Sequence, residues 1–216
     1  MVEMKTFASR DEWLKNRSGG IGGSEISAVV GLNPYMSSTQ LWEIKTGRAE
    51  PEDISDKPYV QFGQQAEDHL RALFALDFPG MKVEYQENNS FTNDRYPWAK
   101  ASLDGWLTDP NGRKGILEIK TTEVLNSMHK EKWNQRIPNN YYCQCLFYMA
   151  VVEADFCILK ARLKTIYDGI PYAQVKHYQI ERSDVKEDIQ YLMTEGEKFW
   201  KCVQENNRPP LVLPDL

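Results

Sequence analysis

Residues 98–121, WAKASLDGWLTDPNGRKGILEIKT, contain the pattern that decides the fold. Two segments rich in apolar residues, Trp98 to Thr108 and Gly115 to Thr121, flank the sequence Asp109-Pro110-Asn111-Gly112. Proline, asparagine and glycine in this order are typical of a tight turn between strands. The two segments are therefore predicted to be neighbouring antiparallel strands.

The second of these strands carries its charged residues on one face. Side chains alternate along a strand, so Glu118 and Lys120 project from the face opposite to Leu117 and Ile119, which point into the core. The first strand is expected to bring Asp104 opposite Glu118, to within a residue or two. Converging carboxylates repel one another unless a cation lies between them, and such oxygen ligands suit Mg²⁺ or Mn²⁺. We therefore expect a magnesium or manganese site, with Lys120 orienting or deprotonating a water.

The same three residues have a plainer interpretation. Asp104-Gly105 would belong to a turn, and Glu118 and Lys120 would be a solvated strand face, as in most short E-x-K patterns. From the residues by themselves, the plainer interpretation is preferred.

Helices and further strands are predicted around this pair. Apolar residues recur at helical spacing from Tyr59 to Leu76, and the run from Tyr141 to Val152 is apolar nearly all round, which indicates a buried helix. A C-terminal helix is expected from a cap at Ser183 or Asp184 to about Gln204. Other strands are predicted at Lys82 to Phe91, which would complete an antiparallel meander, at Phe156 to Leu163 and at Gln174 to Ile180. The predicted fold is α/β, with a sheet covered by helices.

The first fifty residues are predicted to form short helices and loops. Ser9 with Glu12 forms a capping box for a helix that stops at Gly19-Gly20, and Ser37 or Ser38 caps another that ends at Gly47. Between them, Ser24 can cap a helix from Glu25 to Val30.

The glycines before Ser24 suggest a site for an anion. Their amides can point inward at the start of the predicted helix, and Arg17 could add a bidentate phosphate contact. Ordinary capping beside a flexible loop is the alternative.

Composition excludes several classes of protein. The 216 residues carry a net charge of −5 and a pI of about 5.4, which argues against a protein that coats nucleic acid through a broad basic face. An enzyme with a carboxylate-rich metal site is compatible with that balance. No apolar run approaches the roughly 20 residues that span a bilayer, and we expect a soluble, cytoplasmic protein.

Cysteine and histidine chemistry is not favoured. The four cysteines lie in apolar segments without the spacing of a zinc or iron–sulfur site, so buried free thiols are expected. The three histidines stand alone in the sequence and receive no role.

Several short motifs together resemble the phage lambda exonuclease / YqaJ-like viral recombinase family, within the PD-(D/E)XK nucleases. They occur in the family's order from about residue 17 to residue 182, and comprise Arg17, Ile21-Gly22-Gly23-Ser24, Gly63-Gln64-Gln65-Ala66-Glu67, Ser102-Leu103-Asp104-Gly105, Gly115-Ile116-Leu117-Glu118-Ile119-Lys120 and Tyr141-Tyr142-Cys143-Gln144. The resemblance implies a restriction-endonuclease-like core, a mixed central β-sheet flanked by helices. It implies one nuclease domain over residues 1–216: an N-terminal region (1–58), a catalytic core (59–182) and a C-terminal helix and tail (183–216).

The resemblance also implies roles for individual residues. Asp104, Glu118, the main-chain carbonyl of Ile119 and Glu67 would hold the Mg²⁺ or Mn²⁺, and Lys120 would be the general base or the water-orienting group. Without the family, Glu67 would more simply pair with an arginine one helical turn later.

Four more residues receive roles from the resemblance. Gln144 would help to position the nucleophile, although a structural hydrogen bond to a neighbouring strand is an equal alternative. Arg17 and Ser24 would grip the 5′-terminal phosphate of DNA, joined by Ser102.

The function implied is 5′-to-3′ digestion of one strand of linear double-stranded DNA by two-metal hydrolysis, for phage-type homologous recombination. The family acts as a ring-shaped homotrimer around DNA and works with a single-strand annealing protein. A PD-(D/E)XK endonuclease, and a non-catalytic DNA-binding module on the same fold, remain alternatives.

Overall fold

The computed structural model describes residues 1–212. Along these residues the strands are β1 (Val2–Thr6), β2 (Ile21–Gly22), β3 (Lys82–Glu84), β4 (Asn89–Asn93), β5 (Tyr96–Ala101), β6 (Gly105–Thr108), β7 (Lys114–Glu123), β8 (Phe156–Tyr167) and β9 (Ile170–Glu181). The helices are α1 (Arg10–Ser18), α2 (Ile26–Val29), α3 (Ser38–Lys45), α4 (Pro58–Asp77), α5 (Ser127–Glu131), α6 (Asn139–Val152) and α7 (Lys186–Gln204).

The strands form two mixed sheets. The larger sheet has the order β3-β6-β7-β8-β9, in which only β7 and β8 are parallel. The smaller has the order β1-β4-β5-β2, in which only β2 and β5 are parallel. Helices flank the sheets, so the predicted fold class is confirmed.

Two helices, α6 and α4, pack against the larger sheet and belong to two separate apolar clusters. Helix α6 packs against strands of both sheets, and its residues from Cys143 to Val152 are all buried, as its apolar sequence predicted. Helix α4 packs on the outer face of β7 through Leu70 and Phe74, in a second apolar cluster. The larger sheet is therefore covered on both faces.

The predicted meander is wrong in one respect. The segment Lys82 to Phe91 divides into β3 and β4, and Trp98 to Thr108 divides into β5 and β6, with the pieces in different sheets. Asn88 takes a left-handed conformation (φ 52°) that turns the chain before β4. Each expected strand therefore breaks where the chain leaves one sheet for the other.

Other boundaries also differ from the predictions. Strand β1, which pairs with β4, and helix α5 were not expected, because both are rich in charged and exposed residues. Strands β8 and β9 extend beyond their predicted ends. The expected cap at Ser183 or Asp184 is wrong, since these residues form a 3₁₀ turn and Val185 precedes α7.

Two of the N-terminal caps are present, one of them as a full capping box. The Ser9 hydroxyl accepts from the Glu12 N–H at the start of α1, but the Glu12 side chain accepts from the Ala8 N–H, so the predicted box at Ser9 is only half formed. Ser37 forms a reciprocal capping box with Gln40 at the start of α3. Ser24 does not cap α2, since Glu25 is the residue before that helix and makes no side-chain cap.

Free thiols are confirmed for the cysteines. Cys143, Cys145 and Cys157 are buried, and Cys202 is half-buried. The four end residues, 213–216, which belong to the predicted tail, lie outside the described part. Within residues 1–212, no helix has the length and apolar character needed to cross a membrane.

Candidate active site

The register of β6 and β7 brings Asp104 and Glu118 together. Gly105 pairs with Leu117, so Asp104, one residue earlier, lies across from Glu118 as predicted. Asp104 Oδ2 accepts a hydrogen bond of 2.7 Å from the N–H of Ile119. A strand residue directs its N–H and C=O toward the same neighbour, so the Ile119 carbonyl faces this edge too.

Glu118 is the buried centre of the site, with 1% of its surface exposed. Its Oε1 receives the Lys120 ammonium at 2.7 Å and the Gln144 amide at 2.8 Å. Its Oε2 is buried and has no hydrogen-bond partner among the described residues. A buried carboxylate oxygen without a donor is costly, and a cation would satisfy it.

Glu67 reaches the same group from α4, and Arg71 accompanies it. The Arg71 guanidinium bonds the Glu67 carboxylate at 2.6 Å, as the simpler interpretation of Glu67 expected. It also donates to the main-chain oxygen of Asp104 at 2.5 Å and lies 3.5 Å from the centre of the Tyr85 ring. From the sequence, Arg71 was expected only as a helix partner of Glu67. Its position one helical turn after Glu67 was the feature that could have indicated a place in the site.

Burial and mutual repulsion raise the pKa values of these carboxyl groups. Burial, followed by repulsion from Asp104, raises the pKa of Glu118 to about 8 and that of Glu67 to about 7. Burial also raises the pKa of Asp104. The cluster therefore holds more negative charge than the neighbouring cations neutralise.

For Lys120, burial and the neighbouring charges shift the pKa in opposite directions. Burial alone lowers the pKa of its ammonium, but the attraction of Glu118 and Asp104 outweighs burial and raises the pKa above its usual range. Lys120 is therefore a cation at neutral pH.

The carboxylates fit a divalent cation by chemistry, although their side chains are turned to other partners. Among residues 1–212, no three His, Cys, Asp or Glu side chains already stand in ligand positions. Glu118 is engaged by Lys120, Glu67 by Arg71 and Asp104 by the Ile119 N–H. A cation at this edge could bind Oε2 of Glu118, whereas Glu67 would have to turn from Arg71 to join it.

Gln144 connects the carboxylates to α6. Its side chain is buried, and its amide nitrogen donates to Glu118 and, at 3.2 Å, to the Tyr148 hydroxyl. For Gln144 the sequence left two roles open, and one of them was a structural hydrogen bond to a neighbouring strand. This bond is present, since Glu118 belongs to β7.

A small pocket, called here the Arg17 pocket, lies on the other side of Tyr148. Its walls include Arg17, Ser102 and Tyr148, and Arg17 donates to the Ser24 hydroxyl. The three residues predicted to hold a terminal phosphate are thus gathered in one place. Lys100 lines the same pocket and was not singled out from the sequence.

A chain of side chains joins the Arg17 pocket to the carboxylates. Tyr148 lines the Arg17 pocket and bonds Gln144, which bonds Glu118. Gly23 allows this approach, because a Cβ at that position would stand 2.2 Å from the Tyr148 ring. The arrangement can hold an anionic group at one end and a carboxylate-bound cation at the other.

Comparisons with known proteins identify the family of the chain. The family model of the YqaJ-like viral recombinase domain matches residues 12–155. An uncharacterized protein, YqaJ, of Bacillus subtilis (strain 168) is 32% identical over 192 residues, which are 89% of this chain and 56% of that protein. The chain thus spans about half the length of the curated relative.

Solved structures show the same fold. An alkaline exonuclease (LHK-Exo) from Laribacter hongkongensis superposes with a TM-score of 0.66 at 19% identity, over 91% of this chain and 93% of that one. Its complex with dAMP gives 0.62 at 18% identity, over the same shares of the two chains. A phage-related exonuclease from Haemophilus somnus 129PT gives 0.53 at 12% identity, over 87% of this chain and 96% of that one.

Proposed function

This chain belongs to the YqaJ-like viral recombinase domain family, and on that premise we propose that it is a metal-dependent 5′-to-3′ exonuclease acting on linear double-stranded DNA. It would digest one strand during phage-type recombination. The observation that carries the proposal is the buried oxygen of Glu118 that finds no hydrogen-bond partner within residues 1–212, beside Asp104 and Lys120. The structural neighbours named above are exonucleases, which supports the same reaction class.

The carboxylates are the proposed holders of the cation. Asp104, Glu118 and Glu67 would hold Mg²⁺ or Mn²⁺, together with the main-chain carbonyl of Ile119. Bound there, such ions activate water and stabilise the charge that develops on the leaving oxygen of a phosphodiester.

Lys120 is proposed to orient the attacking water as a cation. Its raised pKa argues against a free lysine base in the metal-free protein. The Gln144 amide would donate to Oε1 of Glu118 from α6, and this bond would limit the rotation of the carboxylate.

The Arg17 pocket is proposed to bind the 5′-terminal phosphate. The Arg17 guanidinium and the Ser24 hydroxyl would supply donors for phosphate oxygens, and Ser102 would line the pocket beside them. A pocket for a chain end favours an exonuclease over an endonuclease, which must accept uninterrupted DNA.

The assembly and partners are also proposals. We propose a homotrimeric ring around DNA and cooperation with a single-strand annealing protein that receives the exposed 3′ strand. The resemblance to the family supports both.

The test compares two DNAs incubated with Mg²⁺: a linear duplex with 5′-phosphates and a covalently closed circle. We expect loss of the linear duplex alone, abolished by EDTA and by Glu118→Gln. Asp109→Asn is the matched control, since Asp109 is another buried carboxylate paired with a cation, Arg113, at 2.8 Å, and lies in the β6–β7 turn. This control should retain activity.

Each other outcome contradicts part of the proposal. Cutting of the circle would indicate an endonuclease. No metal-dependent cutting of either DNA, with binding retained, would indicate a non-catalytic DNA-binding module.

A further inference from the structure

Asn89 holds the segment that leads into Asp104. It is the first residue of β4 and is 4% exposed. Its side-chain oxygen accepts from the Leu103 N–H at 2.8 Å, and its side-chain nitrogen donates to the Leu103 carbonyl at 2.9 Å. One amide side chain therefore satisfies both main-chain groups of the residue before Asp104.

These bonds replace strand pairing at this point. Residues 102–104 lie between the end of β5 and the start of β6, so neither ladder includes them. The Asn89 amide also donates to the Gln86 carbonyl at 2.8 Å, which fixes its own orientation. The position of Asp104 in front of Ile119 thus depends on a residue 15 positions earlier in the chain.

The main chain of Asn89 faces the Arg17 pocket. Its carbonyl accepts from the Ser102 hydroxyl at 2.7 Å and from the Trp13 indole at 3.0 Å. Trp13 lies on α1, and its ring packs beneath the Arg17 guanidinium at 5.3 Å. Asn89 therefore contacts both the phosphate-pocket residues and the segment that carries Asp104.

We propose that Asn89 is a positioning residue, which fixes Asp104 through Leu103 and ties it to the Arg17 pocket through Ser102 and Trp13. Its effect on catalysis rests on the proposed function. Its effect on cation binding can be measured without DNA cutting, because the proposed ligand role of Asp104 is tested by Mn²⁺ alone. Residues that orient metal ligands in this way typically contribute 10- to 100-fold to affinity or activity.

The chain offers a matched control in Asn93, at the other end of β4. Asn93 is 2% exposed, and its side chain also bonds main-chain groups, the Val151 carbonyl at 3.0 Å and the Arg95 N–H at 3.0 Å. The Asn93 side chain stabilises the turn after β4 and the end of α6, and both lie away from Asp104. The two alanine variants therefore remove similar bonds from different places.

The experiment measures Mn²⁺ affinity without DNA, by calorimetry, and kcat and KM on a 5′-phosphorylated duplex. Asn89→Ala is expected to weaken Mn²⁺ binding and lower kcat by about 10- to 100-fold, with KM little changed. Asn93→Ala is expected to lose similar stability in urea and to keep wild-type Mn²⁺ affinity and kcat. Equal effects of the two variants would overturn the proposal.

Failure of the proposed function is distinguishable from failure of this inference. If the wild type cuts no DNA, the proposed function fails, and the Mn²⁺ comparison still decides the role of Asn89. If Asn89→Ala does not fold, Asn89→Asp against Asn93→Asp takes its place, since aspartate keeps the acceptor for the Leu103 N–H.

A separate variant tests the link between Asn89 and the Arg17 pocket. Trp13→Phe removes the indole donor to the Asn89 carbonyl and keeps an aromatic ring under Arg17. We expect the preference for a 5′-phosphate over a 5′-hydroxyl duplex to fall while Mn²⁺ affinity stays at the wild-type value. An unchanged preference would overturn this part of the proposal.

Discussion

Glu118 shows how one residue acquires its properties from three neighbours. Lys120 and Gln144 share one of its carboxylate oxygens, and its other oxygen is buried with no donor in the described part of the chain. Burial and the nearby Asp104 raise its pKa to about 8, so much of the population holds a proton at neutral pH without a divalent cation. The residue is therefore poised to exchange a proton for a metal ion.

This protonation makes the stability of the metal-free protein depend on pH. The pKa of Glu118 is about 8 in the folded protein and near 4.5 in the unfolded chain, so the folded state binds more protons between these values. The free energy of unfolding should therefore fall, by the order of a few kcal/mol, as the pH rises from about 5 to about 8 in EDTA. Urea denaturation at a series of pH values measures this slope.

Glu118→Gln should flatten the slope without removing it, because Glu67 titrates in the same direction with a pKa of about 7. Asp109→Asn serves as the control that should keep the wild-type slope. A free energy of unfolding that is constant from pH 5 to pH 8, or a wild-type slope in Glu118→Gln, would contradict the prediction.

Among the elements, α7 shows a local preference overruled by packing. Gly196 lies inside this helix, where alanine is ordinarily favoured over glycine by about 1 kcal/mol. A Cβ at this position would stand 2.3 Å from the ring of the buried Trp98, on β5. The glycine is therefore required by the distance between the helix and the smaller sheet.

Gly196→Ala should accordingly destabilise the protein, by about 1–3 kcal/mol, because overpacking displaces the Trp98 ring or the helix. Gly63→Ala in α4 is the comparison, since a Cβ there would meet only the Thr121 hydroxyl, at 3.3 Å. Urea denaturation of both variants decides the matter, and a more stable Gly196→Ala protein would show that α7 can move away from β5.

The elements were predictable where the periodicity was continuous. The spacing of apolar residues predicted α4 and α6 to within a few residues of their observed ends. The division of the strands between two sheets was not predictable, because it depends on the Asn88 turn and on the bonds from Asn89 to Leu103, which is distant in sequence.

For the whole molecule, charge poses the main problem for DNA binding. A net charge of −5 repels a duplex, so a single copy would dissociate readily at physiological salt. A closed ring would keep DNA in place without a strongly basic surface. The proposed trimer would thereby account for DNA binding by a chain of this charge.

Sedimentation equilibrium should therefore give about three times the chain mass of 25.1 kDa. The same mass is expected in Mg²⁺ and in EDTA, since the proposed cation site lies within one chain. A species of 25.1 kDa over the whole concentration range would contradict the ring, and processive digestion would then need another explanation.

The sequence by itself determined the pairing at the centre of the site. Strand alternation and the turn at residues 109–112 place Asp104 opposite Glu118, because both depend on residues close together in the chain. Only the tertiary structure decided which groups share Glu118, how Arg71 bridges Glu67 and Asp104, and that Asn89 holds Leu103. These contacts and the resulting pKa shifts depend on burial and on distances between segments remote in sequence, which no local pattern specifies.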